Sequence, residues 1–266
     1  PVLGLGQSLA ERLTMTDDTR RSADPAPANG RASGLLARIG QGIRAQFGAP
    51  GADAGETDPL LALPPLLRPH ADKVTTAEEA VGQIRNGDRV FVGTACATPR
   101  TLVAALEGLT FRPADVELVH FITDKAVPHD ASGQAVTKYR HRTFFVGNDI
   151  RAAVKQGLAE YVPLSIARVP GLMAIGRIPV DVALIQVSLP DEFGYVSLGI
   201  SVDVIPAAVA KARVVIAEVN PAMPRSMGER PLHVSEVDAI IEHASPLTEV
   251  EEPALAPEDE AIAELI

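Results

Sequence analysis

The loop at residues 219–225 carries an arginine suited to binding a carboxylate. Arg225 follows Pro221 and Pro224, and the loop comes directly after a strongly apolar stretch. Because proline fixes φ, these two residues stiffen the backbone that presents the guanidinium. A guanidinium held in place can bind a carboxylate through two parallel N–H···O bonds. From the spacing alone an ordinary surface arginine is the favoured interpretation, and both interpretations stay open at this point.

A loop of small residues is a second candidate for ligand contact. Its members are Gly93, Thr94, Ala95, Cys96, Ala97 and Thr98. They stand between a predicted strand and a predicted helix, and ligands of open α/β sheets bind beyond the carboxyl ends of strands. Small side chains let a ligand approach backbone N–H groups, and the N-terminus of the next helix favours an anion. The glycine spacing matches neither a dinucleotide-binding nor a phosphate-binding motif. A tight connection without a ligand is the alternative.

Other reactive residue types give weaker signals. Asp191 and Glu192 could act as acid or base, but neighbouring carboxylates in a loop flanked by proline and glycine usually face solvent. Gly194 is expected to adopt a positive φ. Cys96 has no identifiable base, so a half-buried thiol is the simpler interpretation. The six histidines show no metal-ligand spacing, and we expect no metal site.

Apolar strands alternate with helices across residues 76–241, and this alternation must position the candidate residues. Strands are predicted at residues 89–93, 116–122, 143–146, 180–187, 194–198, 213–219 and 237–241. Helices are predicted at residues 76–84, 99–106, 148–158 and 201–212, the first opened by a capping box at 76–79. Pro206 is an unassigned irregularity in the last of these helices. The pattern predicts an α/β fold, an open mostly parallel sheet with helices on both faces.

Composition excludes several classes of partner. The chain has 266 residues, 24 basic and 34 acidic, for a net charge of −10 without a basic cluster, so a nucleic-acid partner is not expected. No apolar run approaches the length of a membrane span, and residues 1–13 show no signal-peptide pattern. A single cysteine rules out an intramolecular disulfide and fits a cytoplasmic location.

The chain divides into three predicted parts. Residues 1–72 form a disordered, flexible extension, within which Leu35, Leu36, Ile39, Ile43 and Phe47 recur at the spacing of a short amphipathic helix. Pro64, Pro65 and Pro69 are predicted to form a stiff linker at its end. Residues 73–245 form the α/β domain. Residues 246–266 are a Pro-rich acidic linker and the start of a helix, which we interpret as the beginning of a truncated second domain.

Several segments together resemble one enzyme family. They are 86–93 (NGDRVFVG), 144–148 (FFVGN), 161–163 (YVP), 179–187 (PVDVALIQV), 191–199 (DEFGYVSLG) and 214–225 (VVIAEVNPAMPR). They are similar to the N-terminal half of acetyl-CoA hydrolase/transferase proteins, a group that includes 4-hydroxybutyrate and succinyl-CoA:acetate CoA-transferases. The resemblance covers about residues 73–250.

The resemblance implies two related CoA-transferase-type domains with the active site between them. It implies a glutamate, in the C-terminal domain missing from this chain, that attacks an acyl-CoA thioester and later carries CoA as a glutamyl-CoA thioester. No catalytic residue is then expected in this chain. By the same resemblance, Arg225 matches an anchor for the free carboxylate, and residues 93–98 match a loop that lines the pocket. The implied substrates are an acyl-CoA and a small carboxylate, with coenzyme A as substrate and no bound cofactor. A homodimer is compatible with the family.

Three functions are compatible with these features. The first is a CoA-transferase or acyl-CoA hydrolase of which this chain is the N-terminal part, inactive by itself. The second is a stand-alone module that binds CoA or a carboxylate without catalysis, which direct binding by this chain would distinguish. The third and weakest is a sugar-phosphate isomerase of related fold, which requires a cationic phosphate site that the sequence does not show.

Overall fold

The computed structural model describes residues 62–228, 231–249 and 255–265. Within these ranges the framework is a seven-stranded sheet in the order β4-β3-β2-β1-β5-β7-β9, with every neighbouring pair parallel. Its strands are β1 (Arg89–Val92), β2 (Glu117–His120), β3 (Arg140–Thr143), β4 (Ala159–Tyr161), β5 (Val182–Val187), β7 (Val214–Val219) and β9 (Ala239–Glu242). A small antiparallel pair, β6 (Tyr195–Val196) and β8 (Leu232–His233), stands apart from it. The predicted fold class is confirmed.

Short helices connect the strands. The α-helices of the described residues are α1 (Ala77–Val81), α2 (Arg100–Gly108), α3 (Arg151–Lys155), α4 (Val169–Ala174), α5 (Ile205–Lys211) and α6 (Pro257–Glu264). Single 3₁₀ turns occur at Pro65–His70, Ala95–Ala97, Ile166–Arg168 and Val234–Glu236. Half of the predicted capping box of α1 is present, because Thr76 Oγ1 accepts a hydrogen bond from Glu79 N at 3.2 Å. The Glu79 carboxylate accepts from the hydroxyl of Thr75 rather than from Thr76 N.

Alternation along the strands divides the core into two layers. Val182 and Leu184 of β5 face the layer that contains α2, whereas Ala183, Ile185 and Val187 face the opposite layer. The α2 layer includes Leu102, Val103 and Leu106, each at most 2% exposed. A fully buried aliphatic side chain contributes about 1.5–3 kcal/mol, so these three contacts hold α2 firmly on the sheet.

The order of the strands creates a switch point between β1 and β5. From β1 the chain proceeds outward through β2, β3 and β4, and it then returns to place β5 on the other side of β1. The loops after β1 and β5 therefore leave the same edge of the sheet in opposite directions. In open α/β sheets this divergence opens a crevice in which ligands bind.

The segment predicted as a stiff linker belongs to the fold instead. Residues 65–70 form a 3₁₀ turn, and Leu67 is fully buried. Leu63 and Ala71 belong to the same core layer as Leu67, so every fourth residue from 63 to 71 packs into the core. The prolines hold the backbone of this turn in place while its leucines pack, so the linker interpretation of Pro64, Pro65 and Pro69 is corrected.

The third strand begins three residues earlier than predicted, at Arg140 rather than Thr143. The prediction followed the apolar run at residues 144–146 and missed a strand with two arginines. The arginines are accommodated by neighbouring acids. Arg140 pairs with Asp115 at 2.6 Å, and Arg142 pairs with Glu117 at 3.3 Å. Tertiary ion pairs thus permit a polar strand that local pattern does not reveal.

Helix lengths and three missed elements account for the other differences. The strands β4 and β8 and the helix α4 were not predicted, and α3 starts at Arg151 without the expected cap from Asn148. The helix predicted from residue 201 begins only at Ile205, which puts Pro206 in its first turn and explains the irregularity. The helix predicted near the C-terminus is present as α6, with no buried residue among those described. The amphipathic helix predicted at residues 35–47 lies outside the described residues, and the division into three parts stays a prediction.

Candidate functional site

The candidate residues gather at the carboxyl edge of the sheet, around the switch point. Because β1, β5 and β7 are consecutive in the sheet, the loops after them lie side by side. Gly93 N donates to Leu184 O at 2.8 Å, which extends the pairing of β1 and β5 into the loop. A Cβ at Gly93 would lie 3.1 Å from Ala97 O and 3.3 Å from Leu184 O, so any larger residue would have to push these backbone oxygens away by a few tenths of an ångström.

Only the middle of the 93–98 loop is accessible. Thr94, Ala97 and Thr98 are at most 2% exposed, whereas Ala95 and Cys96 are half-buried. The buried hydroxyls are used within the fold. Thr94 donates to the Asp203 carboxylate, and Thr98 donates to Ala95 O at 2.7 Å. Any ligand at this loop therefore meets the backbone, Ala95 and Cys96 rather than the two threonines.

Ala95 holds the loop in a conformation that side chains disfavour. Its φ is 50°, in the left-handed region, and its N–H donates to Ile122 O at 2.8 Å in the loop after β2. A non-glycine residue in this region costs about 1 kcal/mol or more. The contact with Ile122 ties the 93–98 loop to the exit of the next strand.

The N-terminus of α2 is already occupied by an acidic side chain, whereas the sequence led us to expect an anionic ligand there. Glu218 Oε2 accepts from Thr101 N at 3.0 Å and from Leu102 N at 3.3 Å. Glu218 is fully buried in β7, and burial raises the pKa of its carboxyl although these bonds act in the opposite direction. The anion that the helix N-terminus favours is thus a side chain of the protein itself.

Arg225 already binds a carboxylate in this structure. Its Nη2 donates to Asp191 Oδ2 at 3.1 Å. Its Nη1 lies within donating distance of Leu189 O at 3.0 Å, Tyr195 O at 3.1 Å and Ser188 Oγ at 3.3 Å. The guanidinium therefore holds the loop after β5. About 45% of its side chain is exposed, and among the described residues neither Nε–H nor the second Nη2–H has a hydrogen-bond acceptor.

The partner carboxylate is held by a tight turn. Asp191 Oδ1 accepts from Tyr195 N at 2.8 Å and from Phe193 N at 3.0 Å. These backbone bonds, that to Tyr195 first, lower the pKa of the Asp191 carboxyl, and Arg225 lowers it further. Gly194 has the predicted positive φ of 83°, and a Cβ there would lie 2.8 Å from His233 Nε2. Asp191 is thus engaged within the protein rather than merely facing solvent.

Two important residues of this edge were missed from the sequence. Gln186 and Glu218 are paired in register on adjacent strands, and both are at most 1% exposed. A signal for them was available, since each is the one polar residue inside an otherwise apolar strand and stands just before its last position. Such residues are buried polar groups that must find partners.

Among the described residues, no group of three or more His, Cys, Asp or Glu side chains is arranged to hold a metal ion. Within the same ranges, no helix combines the length and apolar content required to cross a bilayer. Cys96 is a free thiol, and no base among the described residues lies within hydrogen-bonding distance of its sulfur.

Comparison with known proteins agrees with the segments and the geometry. Residues 67–251 match the acetyl-CoA hydrolase/transferase N-terminal domain. The chain belongs to that family. The match begins at Leu67, the buried leucine of the first 3₁₀ turn, and it includes Arg225 and the whole 93–98 loop.

Two curated relatives of this chain are named as CoA-transferases. The 4-hydroxybutyrate coenzyme A transferase of Clostridium kluyveri is 41% identical over 195 residues, which are 73% of this chain and 45% of that protein. The succinyl-CoA:acetate/propanoyl-CoA:succinate CoA transferase of Fasciola hepatica is 30% identical and is covered over 40% of its length. The chain spans under half the length of these relatives.

A solved structure shares the fold. RipA from Yersinia pestis superimposes with a TM-score of 0.63 at 31% identity, over 73% of this chain and 47% of that one. The structural match again covers about half of the larger protein.

Proposed function

We propose that this chain is the N-terminal part of a CoA-transferase that moves CoA between a short acyl-CoA and a carboxylate. The observation that carries the proposal is Arg225, a guanidinium that already binds a carboxylate at the carboxyl edge of the sheet. Its CoA-transferase relatives extend well beyond the matched region, which supports a C-terminal domain as the other wall of the site. The acyl-CoA hydrolase variant differs only in using water as acceptor.

The reaction requires a nucleophile that this chain does not supply. A glutamate carboxylate attacks the thioester carbonyl, CoA thiolate leaves, and an acyl-glutamyl anhydride forms. The thiolate then attacks the glutamyl carbonyl, which releases the acyl group as a free carboxylate and leaves a glutamyl-CoA thioester. The same steps in reverse order transfer CoA to the second acid. Glu218, the most deeply buried glutamate of the carboxyl edge, lies beneath α2 with both oxygens bonded and is not available to attack a thioester. We assign the nucleophile to the C-terminal domain, as the resemblance to the family implies.

Arg225 would bind the carboxylate of the acceptor acid. Its Nε–H and second Nη2–H are the donors that remain for an incoming carboxylate once Asp191 is bound. Asp191 thus competes with the acid for the same charge while it holds the loop. Ala95 and Cys96, the accessible residues of the 93–98 loop, are the positions that would contact the acyl group.

The experiment that tests this function measures CoA transfer by the complete gene product with Arg225→Ala. Loss of a charge-assisted pair of about 2 kcal/mol should raise the Michaelis constant for the acceptor acid about 30-fold. The control is Arg213→Ala, which removes an arginine–aspartate pair of 2.9 Å with Asp88 outside the proposed site. An unchanged Michaelis constant in Arg225→Ala would exclude Arg225 as the anchor.

The 266-residue chain alone should show no transfer, because binding groups without a nucleophile leave no covalent route. Calorimetry of the same chain with acetate and acetyl-CoA distinguishes the alternative, a binding module without catalysis. Binding by the chain together with inactivity of the complete gene product would favour the module. Turnover by the chain alone would refute the assignment of the nucleophile.

A further inference from the structure

Three buried polar side chains form a hydrogen-bonded cluster beneath the switch point. We call Gln186, Glu218 and Asn220 the switch-point cluster. Each is at most 1% exposed. Gln186 and Glu218 occupy the next-to-last positions of β5 and β7, and Asn220 is the first residue after β7. Gln186 Nε2 donates to Glu218 Oε1 at 3.2 Å, and Asn220 Nδ2 lies 3.5 Å from Gln186 Oε1.

The cluster contacts both the last residue of the 93–98 loop and the first turn of α2, which follows the loop. Gln186 Nε2 also donates to Thr98 O at 3.3 Å, the last residue of the loop. Glu218 Oε2 accepts from Thr101 N and Leu102 N, the first turn of the helix that follows. The loop is thereby attached to β7, the same strand that leads to Arg225.

The far end of the cluster is fixed independently. Asn220 Oδ1 accepts from Ala222 N at 3.0 Å and from Ser245 N at 3.3 Å, and its Nδ2 donates to Ser245 O at 2.9 Å. These partners determine which way the Asn220 amide points. Gln186 must therefore present its oxygen to Asn220 and its NH₂ group to Glu218 and Thr98.

An ionised carboxylate fits residue 218 because it only accepts hydrogen bonds. Both neighbours of Glu218, the α2 N–H groups on one side and the Gln186 NH₂ group on the other, are donors. A glutamine at this position would place its own NH₂ group against one of these two donors in either orientation. Turning Gln186 over would only move the conflict to Asn220 and would leave Thr98 O without its donor.

We propose that Glu218 is a positioning residue of the transfer reaction, which fixes the 93–98 loop relative to Arg225 by accepting hydrogen bonds from both sides. This inference rests on the proposed function for its effect on activity, but its structural part does not. The raised pKa of the buried carboxyl is consistent with the cost of keeping a charge there.

The test compares Glu218→Gln with Glu117→Gln in the complete gene product and in this chain. Glu117 is a matched control, since it is also a buried glutamate, 5% exposed, at the first position of β2, where it pairs with Arg89 at 3.2 Å and Arg142 at 3.3 Å. We expect Glu218→Gln to lower kcat/KM at least tenfold and Glu117→Gln less than threefold.

Amide hydrogen exchange in this chain reports the positioning directly. In Glu218→Gln, exchange of the Thr101 and Leu102 amides should accelerate at least tenfold, while the Ala222 amide, which is bonded to Asn220, should not change. Glu218→Asp keeps a group that only accepts hydrogen bonds, so it should retain more activity than Glu218→Gln, even though the shorter side chain leaves a void in the core.

The outcomes separate the two proposals. One outcome is faster exchange at Thr101 and Leu102 in Glu218→Gln together with a wild-type gene product that transfers no CoA. That outcome would leave the positioning role of Glu218 intact and would refute the proposed function. An active wild type with unchanged exchange in Glu218→Gln would refute the positioning role alone. Activity of Glu218→Gln at or above that of Glu218→Asp would also overturn it.

Discussion

Two buried polar clusters lie in opposite halves of the sheet, and they differ in what their ends contact. The switch-point cluster ends on the loops at the carboxyl edge and on the first turn of α2. The second, which we call the histidine cluster, consists of His120, His141 and Thr137, on and beside β2 and β3. Burial alone therefore does not mark a functional group. The contacts at the ends of a cluster decide whether it can influence a ligand.

The histidine cluster is a continuous chain of hydrogen bonds between neutral rings. His120 Nδ1 donates to Phe121 O at 3.0 Å, so its Nε2 accepts from His141 Nδ1 at 3.1 Å. The hydroxyl of Thr137 donates to Glu107 Oε1 at 2.5 Å, and its oxygen also lies 2.8 Å from His141 Nε2, so one hydroxyl proton stands between two acceptors. Burial lowers the pKa of His120 to about 4 and lowers that of His141 as well.

The largest expected difference between the two clusters is in how the free energy of unfolding changes at acidic pH, and His120→Gln tests it. Because the folded pKa of His120 lies below its ordinary value of 6.5, the unfolded chain binds more protons between pH 6.5 and about 4, and stability falls as the pH drops through this window. The depression to about 4 corresponds to about 3 kcal/mol. His120→Gln should flatten this part of the curve, measured by urea unfolding from pH 7 to pH 4.

The control is His129→Gln, at an exposed histidine, which should leave the slope as in the wild type. In the complete gene product, His120→Gln should leave the Michaelis constant for the acceptor acid unchanged. A slope in His120→Gln as steep as that of the wild type would contradict the assignment of acid sensitivity to His120.

The next effect concerns the pair at the carboxyl edge. Asp191→Asn keeps the oxygen that accepts from Phe193 N and Tyr195 N but removes the charge that competes for Arg225. We expect the Michaelis constant for the acceptor acid to fall about tenfold, which is about 1.4 kcal/mol. Steady-state kinetics of the complete gene product provide the measurement, with Asp88→Asn as control at the pair with Arg213. A higher Michaelis constant would mean that Asp191 preorganises the guanidinium instead.

The smallest effect concerns the strained backbone of the loop. Ala95→Gly should stabilise the chain by about 0.5–1 kcal/mol. Glycine avoids the steric cost that alanine has at a φ of 50°, and this gain exceeds the loss from the greater freedom of glycine in the unfolded chain. Ala97→Gly, two residues away and fully buried, should destabilise by about 1 kcal/mol. Denaturant midpoints of the two variants give the comparison, and equal shifts would show that Ala95 is not strained.

The comparison also shows what the sequence could predict. The strands β5 and β7 could be predicted because five of the six residues of each are apolar, as expected for strands that are covered on both faces. The polar strand β3 was misplaced because its arginines depend on acids that are distant in sequence. The short strand β4 has only three residues, too few for a period to appear.

In the candidate site, too, local features could be predicted but contacts between distant residues could not. Arg225 and the 93–98 loop were identified from residue types and from the family resemblance. The partners that define their roles were not, because Asp191 lies 34 residues from Arg225 and Glu218 lies 117 residues from Thr101. Contacts of that separation are set by the order of strands in the sheet, which local patterns do not specify.

The central claim is that this chain supplies the carboxylate-binding wall of a transferase while the nucleophile comes from elsewhere in the protein. The complete gene product should be incubated with an acyl-CoA, reduced with borohydride, and mapped by peptide mass spectrometry. We predict one reduced glutamate, at a position after residue 266. Reduction of a glutamate between residues 62 and 265 would contradict the account.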